Sequence, residues 1–325
     1  MRLSLRARFI RKLMMMSFKK NALSYREARE RGAKSGAAKA YFEKIAEIER
    51  IDIQGIPAAW IRPRRRARSG ASGRASGDVS GGAGPNIGAP VLLHLHGGGY
   101  VSGTIDSYLP LCVPMARGLD VACLFPEYRL APEHPYPAAL EDALSAYRWL
   151  LAQGFAAAKI VVSGDSAGGG LALALVLALR DSGEAPPAAV ACMSPWTDLT
   201  NRGSSRWTHE NRDPLLTKET LDRWAACYAS ASDLVNPLVS PAYADFRRFP
   251  PLLIQVGSEE ILLDDAFALA EKAKAAGVDV ELELFEDLWH VWQILGELLP
   301  ESRRAFESLS RFVEAKTAIG PSRRE

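Results

Sequence analysis

The sequence predicts an α/β fold with a mostly parallel central sheet covered by helices on both faces. Three observations predict it. From residue 91 onward, short apolar, β-branched runs alternate with longer helical stretches, the pattern of a parallel sheet with crossover helices. The run Lys159-Ile-Val-Val-Ser163 ends in Gly164-Asp165-Ser166-Ala167-Gly168 and continues into almost unbroken Ala, Leu and Val over residues 171–179. That reads as a buried strand, a sharp turn and a buried helix. The chain has 325 residues, 48% of them hydrophobic, which suits one large α/β domain with an accessory part, or two domains.

Residues 1–20 are basic, with Leu3, Leu5, Phe9, Ile10, Leu13, Met14, Met15, Met16 and Phe18 set among Arg and Lys. The longest apolar run, residues 13–16, is too short for a signal-peptide core, and no small-residue cleavage site follows. One reading is an amphipathic helix on an anionic membrane surface. The other, which we take as the expectation, is a helix folded over the protein's own pocket with its basic residues outward. Residues 24–40 continue as a charged, Ala-rich helical segment. Residues 46–53 alternate apolar and polar, and after Gln54-Gly55 a second short strand follows at 56–61, so the pair reads as a hairpin. Residues 62–90 are Pro, Arg, Gly, Ser and Ala with almost nothing to bury, and read as a disordered insert. Its basic end, 62–68, reads as solvated surface rather than as a site for an acidic partner. Strands are expected at 91–95, 121–125, 159–163, 189–194, 252–256 and 279–285, and helices at 138–152, 167–181, 264–276 and 301–315. Residues 196–236, rich in Trp, Asp and Arg, break the alternation.

Composition excludes several classes. A net charge of +2 is too small to imply a nucleic-acid partner. Cys112, Cys123, Cys192 and Cys227 have no paired metal-ligand spacing and read as reduced core residues of a cytosolic protein. No run approaches the roughly 18 apolar residues of a membrane span. Peripheral membrane contact through the basic N-terminus and a homodimer stay open.

The chemistry centres on Ser166. A serine hydroxyl is a weak nucleophile and must stand where a base can reach it. A strained strand-to-helix elbow does that, and the helix starting near Ala167 points its N–H groups at developing negative charge. A passive serine in a strand–loop–helix is the bland reading, and a phosphate-cradling loop fails because no Gly-Lys-Ser/Thr follows. The strand at 91–95 runs into His96-Gly97-Gly98-Gly99-Tyr100. Three consecutive glycines are costly in backbone entropy and make sense where the backbone approaches a substrate and donates N–H groups to an oxyanion.

His96-Gly-Gly-Gly together with Gly164-Asp-Ser-Ala-Gly resembles the hormone-sensitive-lipase-like family of α/β-hydrolases, in its bacterial esterase branch. The stretch Glu127-Tyr-Arg-Leu-Ala-Pro-Glu-His-Pro-Tyr-Pro, then Ser194-Pro-Trp-Thr-Asp-Leu, Asp213-Pro, Ser240-Pro and Pro250-Pro-Leu-Leu-Ile-Gln-Val-Gly257 fit in order, so the resemblance covers roughly residues 40–315. It implies an α/β-hydrolase domain over 46–318, a small helical cap from 1–45 and 196–236, and a tail at 319–325. In such enzymes the triad runs serine, acid, histidine along the chain. Of His94, His96, His134, His209 and His290, only His290 follows the candidate acids, on a loop after the last strand. The family places its acid two residues after the glycine at the end of the preceding strand, which here is Glu259. Glu260 then reads as solvent-facing or as a hydrogen-bonding neighbour, and Asp264 and Asp265 as complements to the next helix dipole. The family geometry implies an oxyanion hole of the Gly98, Gly99 and Ala167 amides. The implied activity is hydrolysis of short- to medium-chain carboxylic esters, with no metal and no organic cofactor. A catalytically inactive small-ligand receptor of the same fold, a lactonase or metabolite deacetylase, and a serine peptidase of the same superfamily are the rivals. His290 argues against the receptor, and the triple-glycine loop against the peptidase.

Overall fold

The computed structural model describes residues 3–17, 22–35, 39–64 and 85–318. Eight strands form one sheet: β1 (Ala46–Ile53), β2 (Ile56–Pro63), β3 (Val91–Leu95), β4 (Ala122–Pro126), β5 (Ile160–Asp165), β6 (Ala189–Met193), β7 (Leu252–Gly257) and β8 (Val280–Phe285). Their spatial order is β1-β2-β4-β3-β5-β6-β7-β8. The first two pairings are antiparallel and the rest parallel. The helices are α1 (Leu5–Ser17), α2 (Tyr25–Ser35), α3 (Lys39–Ile45), α4 (Ile105–Leu119), α5 (Ala138–Ala152), α6 (Ala167–Asp181), α7 (Ser205–Thr208), α8 (Lys218–Tyr228), α9 (Leu263–Ala275) and α10 (Pro300–Ala318). This is the α/β-hydrolase architecture expected from the sequence.

Strand periodicity sorts the core. Leu93, Leu95, Val162 and Ile254 belong to the apolar layer shared with α5, α6 and α9. Leu92, Val161, Ala191 and Leu253 belong to the opposite layer, shared with α4 and α10. Neighbours along a strand thus feed opposite faces, and the central strands are apolar throughout because both faces are covered. The β1–β2 hairpin turns through Gln54 and Gly55, both at positive φ (54° and 92°), as a tight two-residue connection requires.

Three elements depart from the expectation. The first is α4, absent from the expected helices and holding Pro110 and Pro114 inside it. A proline in a helix removes a hydrogen bond and crowds the preceding turn. Thr104 and Ser107 start the helix with a reciprocal capping box, and its face of Leu109, Leu111, Cys112, Val113 and Met115 is buried. The second is the insert. Arg62 and Pro63 are the end of β2, and Arg62 pairs with Glu47 and Glu49 on β1, so the basic end is in part a strand edge. Residues 65–84 of the insert, and the tail at 319–325, lie outside the described residues. The third is the N-terminus. Leu3 and Ala7 pack on Leu288, Trp289, Trp292 and Leu299, so α1 does fold onto the protein. Its basic residues are not all outward, however, because Arg11 turns in to Glu259.

The segment after β6 is tied down by charge. Arg206 on α7 is fully buried, donates to Asp265 at 2.7 Å and also donates to the Ile261 carbonyl at 2.7 Å. Asp265 also accepts from the Thr197 and Asp198 amides. Asp264 does not cap its own helix. It accepts from Ser204 and from the Ser205 amide at the start of α7. Both aspartates therefore hold residues 197–206 against α9. Removing one partner of a buried pair leaves the other charge uncompensated, at a cost of about 3–5 kcal/mol. Asp265→Ala should lower unfolding free energy by about that amount in a urea titration, and a change under about 1 kcal/mol would show that this pair does not anchor the segment.

Candidate active site

The site lies beyond the C-terminal ends of the parallel strands, where open α/β sheets place their ligands. β5 delivers Ser166 at φ 52° and ψ −122°, a strained position between strand and helix. The Ser166 amide donates to the Met193 carbonyl at 2.9 Å, which pins the elbow to β6. The elbow needs glycine at 168, where a Cβ would sit 2.0 Å from the Leu95 carbonyl oxygen.

His290 closes on the serine from the loop after β8. Its Nε2 is 2.9 Å from Ser166 Oγ, and its Nδ1 is 3.1 Å from Glu260 Oε2. Glu260, not Glu259, is the carboxylate beside the imidazole. It is fully buried, accepting from the Gly257 amide (2.6 Å) and the Ser194 hydroxyl (2.6 Å). Ser194 Oγ also accepts from the Val291 amide at 3.1 Å, so the end of β6 braces the acid and the histidine loop together.

The reason Glu259 is displaced lies in the turn. Its amide donates to the Leu288 carbonyl at 2.9 Å, which fixes the backbone against the histidine loop. Its side chain leaves on the other side and receives Arg11 from α1 and Arg212 from the segment before α8. One residue later the chain has turned so that Glu260 folds back under the Gly257 amide. The expectation that Glu260 faces solvent is likewise overturned.

Electrostatics follow from these contacts. Burial disfavours protonation of His290, but the hydrogen bond and charge of Glu260, with Asp213 and Asp165 behind, outweigh it and hold its pKa above the ordinary 6.5. Asp213 accepts from the Leu215, Leu216 and Ile261 amides, and burial raises its pKa despite the nearby His290. His96 is a different case. It is stacked between Phe125 and Tyr128, its Nδ1 meets the Gly97 carbonyl, and burial pulls its pKa down to about 4. It is a neutral packing residue, and His94 is buried beside it between Ser163 (2.9 Å) and Asp165 (3.3 Å). His134 and His209 lie away from Ser166, in the Pro-rich turn and at the end of α7.

The triple-glycine loop is fastened to the elbow by Asp165. Its carboxylate accepts from the Gly97 amide at 3.0 Å and the Tyr108 hydroxyl at 3.1 Å. Gly98 and Gly99 sit at φ 98° and 64°, and a Cβ on Gly98 would lie 2.2 Å from the Ser102 carbonyl oxygen. Among the described residues the Gly98, Gly99 and Ala167 amides have no hydrogen-bond partner. A cavity of about 280 Å³ opens over Ser166 and His290, walled by Leu23, Ala28, Leu215, Leu216, Trp224 and Ile294. Leu23 and Ala28 come from the N-terminal segment, whose Leu23 amide donates to Thr220 on α8.

Sequence reasoning missed the parts played by Glu260, Ser194, Asp165 and Asp213. Three of these lay inside motifs already noted, Gly-Asp-Ser, Ser194-Pro and Asp213-Pro, so the signal was present without the contact that explains it. The His290 geometry carries a direct expectation. A two-dimensional NMR titration of the imidazole should give a pKa above 6.5 in the wild type and a lower one in Glu260→Gln, because the amide removes the charge that favours the imidazolium. An unchanged value in Glu260→Gln would break the assigned coupling.

Comparison with known proteins bears on the fold and the family. A family model described as alpha/beta hydrolase fold matches residues 92–294. An acetyl-hydrolase of Streptomyces hygroscopicus is 43% identical over 270 residues, 83% of each chain. An esterase of Acinetobacter venetianus is 37% identical over 224 residues, covering 68% of this chain and 74% of its own. The crystal structure of an esterase from the bacterial hormone-sensitive lipase family superposes with a TM-score of 0.82 at 36% identity, covering 98% of this chain and all of that one. The chain belongs to the α/β-hydrolases, in the bacterial hormone-sensitive-lipase-like family of ester hydrolases.

Proposed function

We propose that the protein hydrolyses short- to medium-chain carboxylic esters through a Ser166–His290–Glu260 triad and an acyl-enzyme. The observation that carries this is the unbroken line from Ser166 Oγ through both nitrogens of one imidazole to a buried carboxylate. His290 Nδ1–H donates to Glu260, which leaves Nε2 free to accept the serine proton. Ser166 Oγ attacks the acyl carbonyl as its proton passes to Nε2. The Gly98, Gly99 and Ala167 amides receive the oxyanion, helped by the N-terminus of the 15-residue α6. The tetrahedral adduct collapses, and Nε2–H protonates the departing alkoxide. Water then enters, gives a proton to Nε2 and attacks the acyl-serine, and Ser166 leaves with the proton returned. No step calls on a metal or organic cofactor.

The apolar walls and modest volume of the cavity favour small acyl groups. Acetyl esters fit this reading, and the 43% identical acetyl-hydrolase supports them. That relative also favours deacetylation of an acetylated metabolite as a second reading. His290 at hydrogen-bond distance from Ser166 argues against an inactive receptor. We take α1, α2, α7 and α8 as the cap, since the N-terminal segment meets residues 212–223. The four cysteines are free thiols, and on that ground we infer a reducing, cytoplasmic compartment.

Activity needs neutral His290. Its pKa is raised, so the acid limb of kcat/KM should sit above 6.5 and activity should fall as pH drops through it. On p-nitrophenyl acetate, Ser166→Ala should abolish turnover and Glu260→Gln should lower kcat on the order of 10³–10⁴-fold. Glu259→Gln should stay within about tenfold of wild type, since its carboxylate touches neither reacting atom. Full turnover by Ser166→Ala, or collapse in Glu259→Gln with Glu260→Gln active, would overturn the assignment.

A further inference from the structure

Helix α1 has two apolar faces, and only one is used. Leu3 and Ala7 are buried, with Ile10 and Met14 packed behind them, against Trp289, Trp292 and Leu299. Leu5, Phe9, Leu13 and Met16 project outward, 81%, 63%, 45% and 73% exposed. Their spacing of four, four and three residues puts them in one stripe along the helix. Exposed Arg8 and Lys12 border the stripe on one side and Arg6 on the other. The first 26 residues contain eight Arg and Lys and no Asp or Glu. At 13 residues the helix is too short to span a bilayer, and among the described residues no helix is long and apolar enough to do so.

We infer that this outer stripe of α1 docks the enzyme on an anionic lipid surface. An apolar band flanked by cations, on a helix with no Asp or Glu of its own, is matched by acyl chains beneath anionic headgroups, with the helix lying flat. A second copy of the chain is the poorer occupant. Pairing two such stripes would bring the cations beside each stripe toward their counterparts with no carboxylate on either helix to meet them. The inner face supplies the anchorage that such docking needs. Arg11 is clamped to Glu259, and Ser4 donates to Glu301 on α10 through both its amide and its hydroxyl. The helix is thus held to the body by polar contacts at two points while its apolar stripe stays outward.

The test is co-sedimentation of the full chain with large vesicles, of phosphatidylcholine alone or with about one third phosphatidylglycerol. Wild type should bind the anionic vesicles at least about tenfold more tightly than the neutral ones, and added salt should weaken this. The triple variant Leu5→Ser, Phe9→Ser, Leu13→Ser should lose at least about tenfold of that binding, while unaltered turnover of a soluble ester shows that it is folded. A second variant, Phe9→Trp, should show a blue-shifted emission on adding anionic vesicles and quenching by brominated lipid. Absence of binding to anionic vesicles at low salt would overturn the inference. So would equal binding by the triple-serine variant, or a dimer in sedimentation velocity that the same variant abolishes.

Discussion

A carboxyl group with no exposure must find all its partners inside the protein, and Glu260 is that group here. An unpaired charge buried in this way would cost several kcal/mol. The Gly257 amide, the Ser194 hydroxyl and His290 meet it from three separate elements. Ser194 is in turn tied to the Val291 amide, so the end of β6, the turn after β7 and the histidine loop form one hydrogen-bonded unit. Satisfying Glu260 therefore fixes the imidazole, and the imidazole fixes the approach to Ser166. Asp165 does the matching task on the other side, joining the elbow to the triple-glycine loop.

Two adjacent glutamates divide the work of the turn. Glu260 faces His290, whereas Glu259 faces Arg11 and Arg212 and so holds α1 and the segment before α8 to the same turn. The cover of the cavity and the Ser166–His290–Glu260 hydrogen-bond line are thereby referred to one short stretch of backbone. Loss of Glu259 would loosen the cover without touching a reacting atom. That separation explains how residues from the first 31 positions contribute to the cavity walls while Ser166, Glu260 and His290 all come from the sheet's C-terminal edge.

The sheet was legible because its central strands are apolar and buried, its edge strand β1 alternates, and turns bound them, so most of the expected strand limits fall within one or two residues of the observed ones. The placement of Ser166 at a strand-to-helix elbow and of His290 on the loop after the last strand was legible because the flanking strand and helix patterns are strong. The helix α4 was not, since Pro110 and Pro114 argue against a helix locally and only the burial of its apolar face and its capping box favour one. The choice between Glu259 and Glu260 was not legible either. Neighbouring side chains in a turn point in different directions, and which one reaches His290 depends on the Glu259 amide binding Leu288, a contact 29 positions away in the chain. The Arg11–Glu259 pair spans 248 positions and leaves no local trace at all.

In the proposed mechanism Glu260 acts on Ser166 only through His290. A double-mutant cycle measures this directly: kcat of wild type, Glu260→Gln, His290→Ala and the double variant on one activated ester. Strong non-additivity is expected, with Glu260→Gln costing no more than a few-fold once His290 is gone. If the two losses instead multiply, Glu260 contributes independently of the imidazole, and the triad drawn from this structure is wrong.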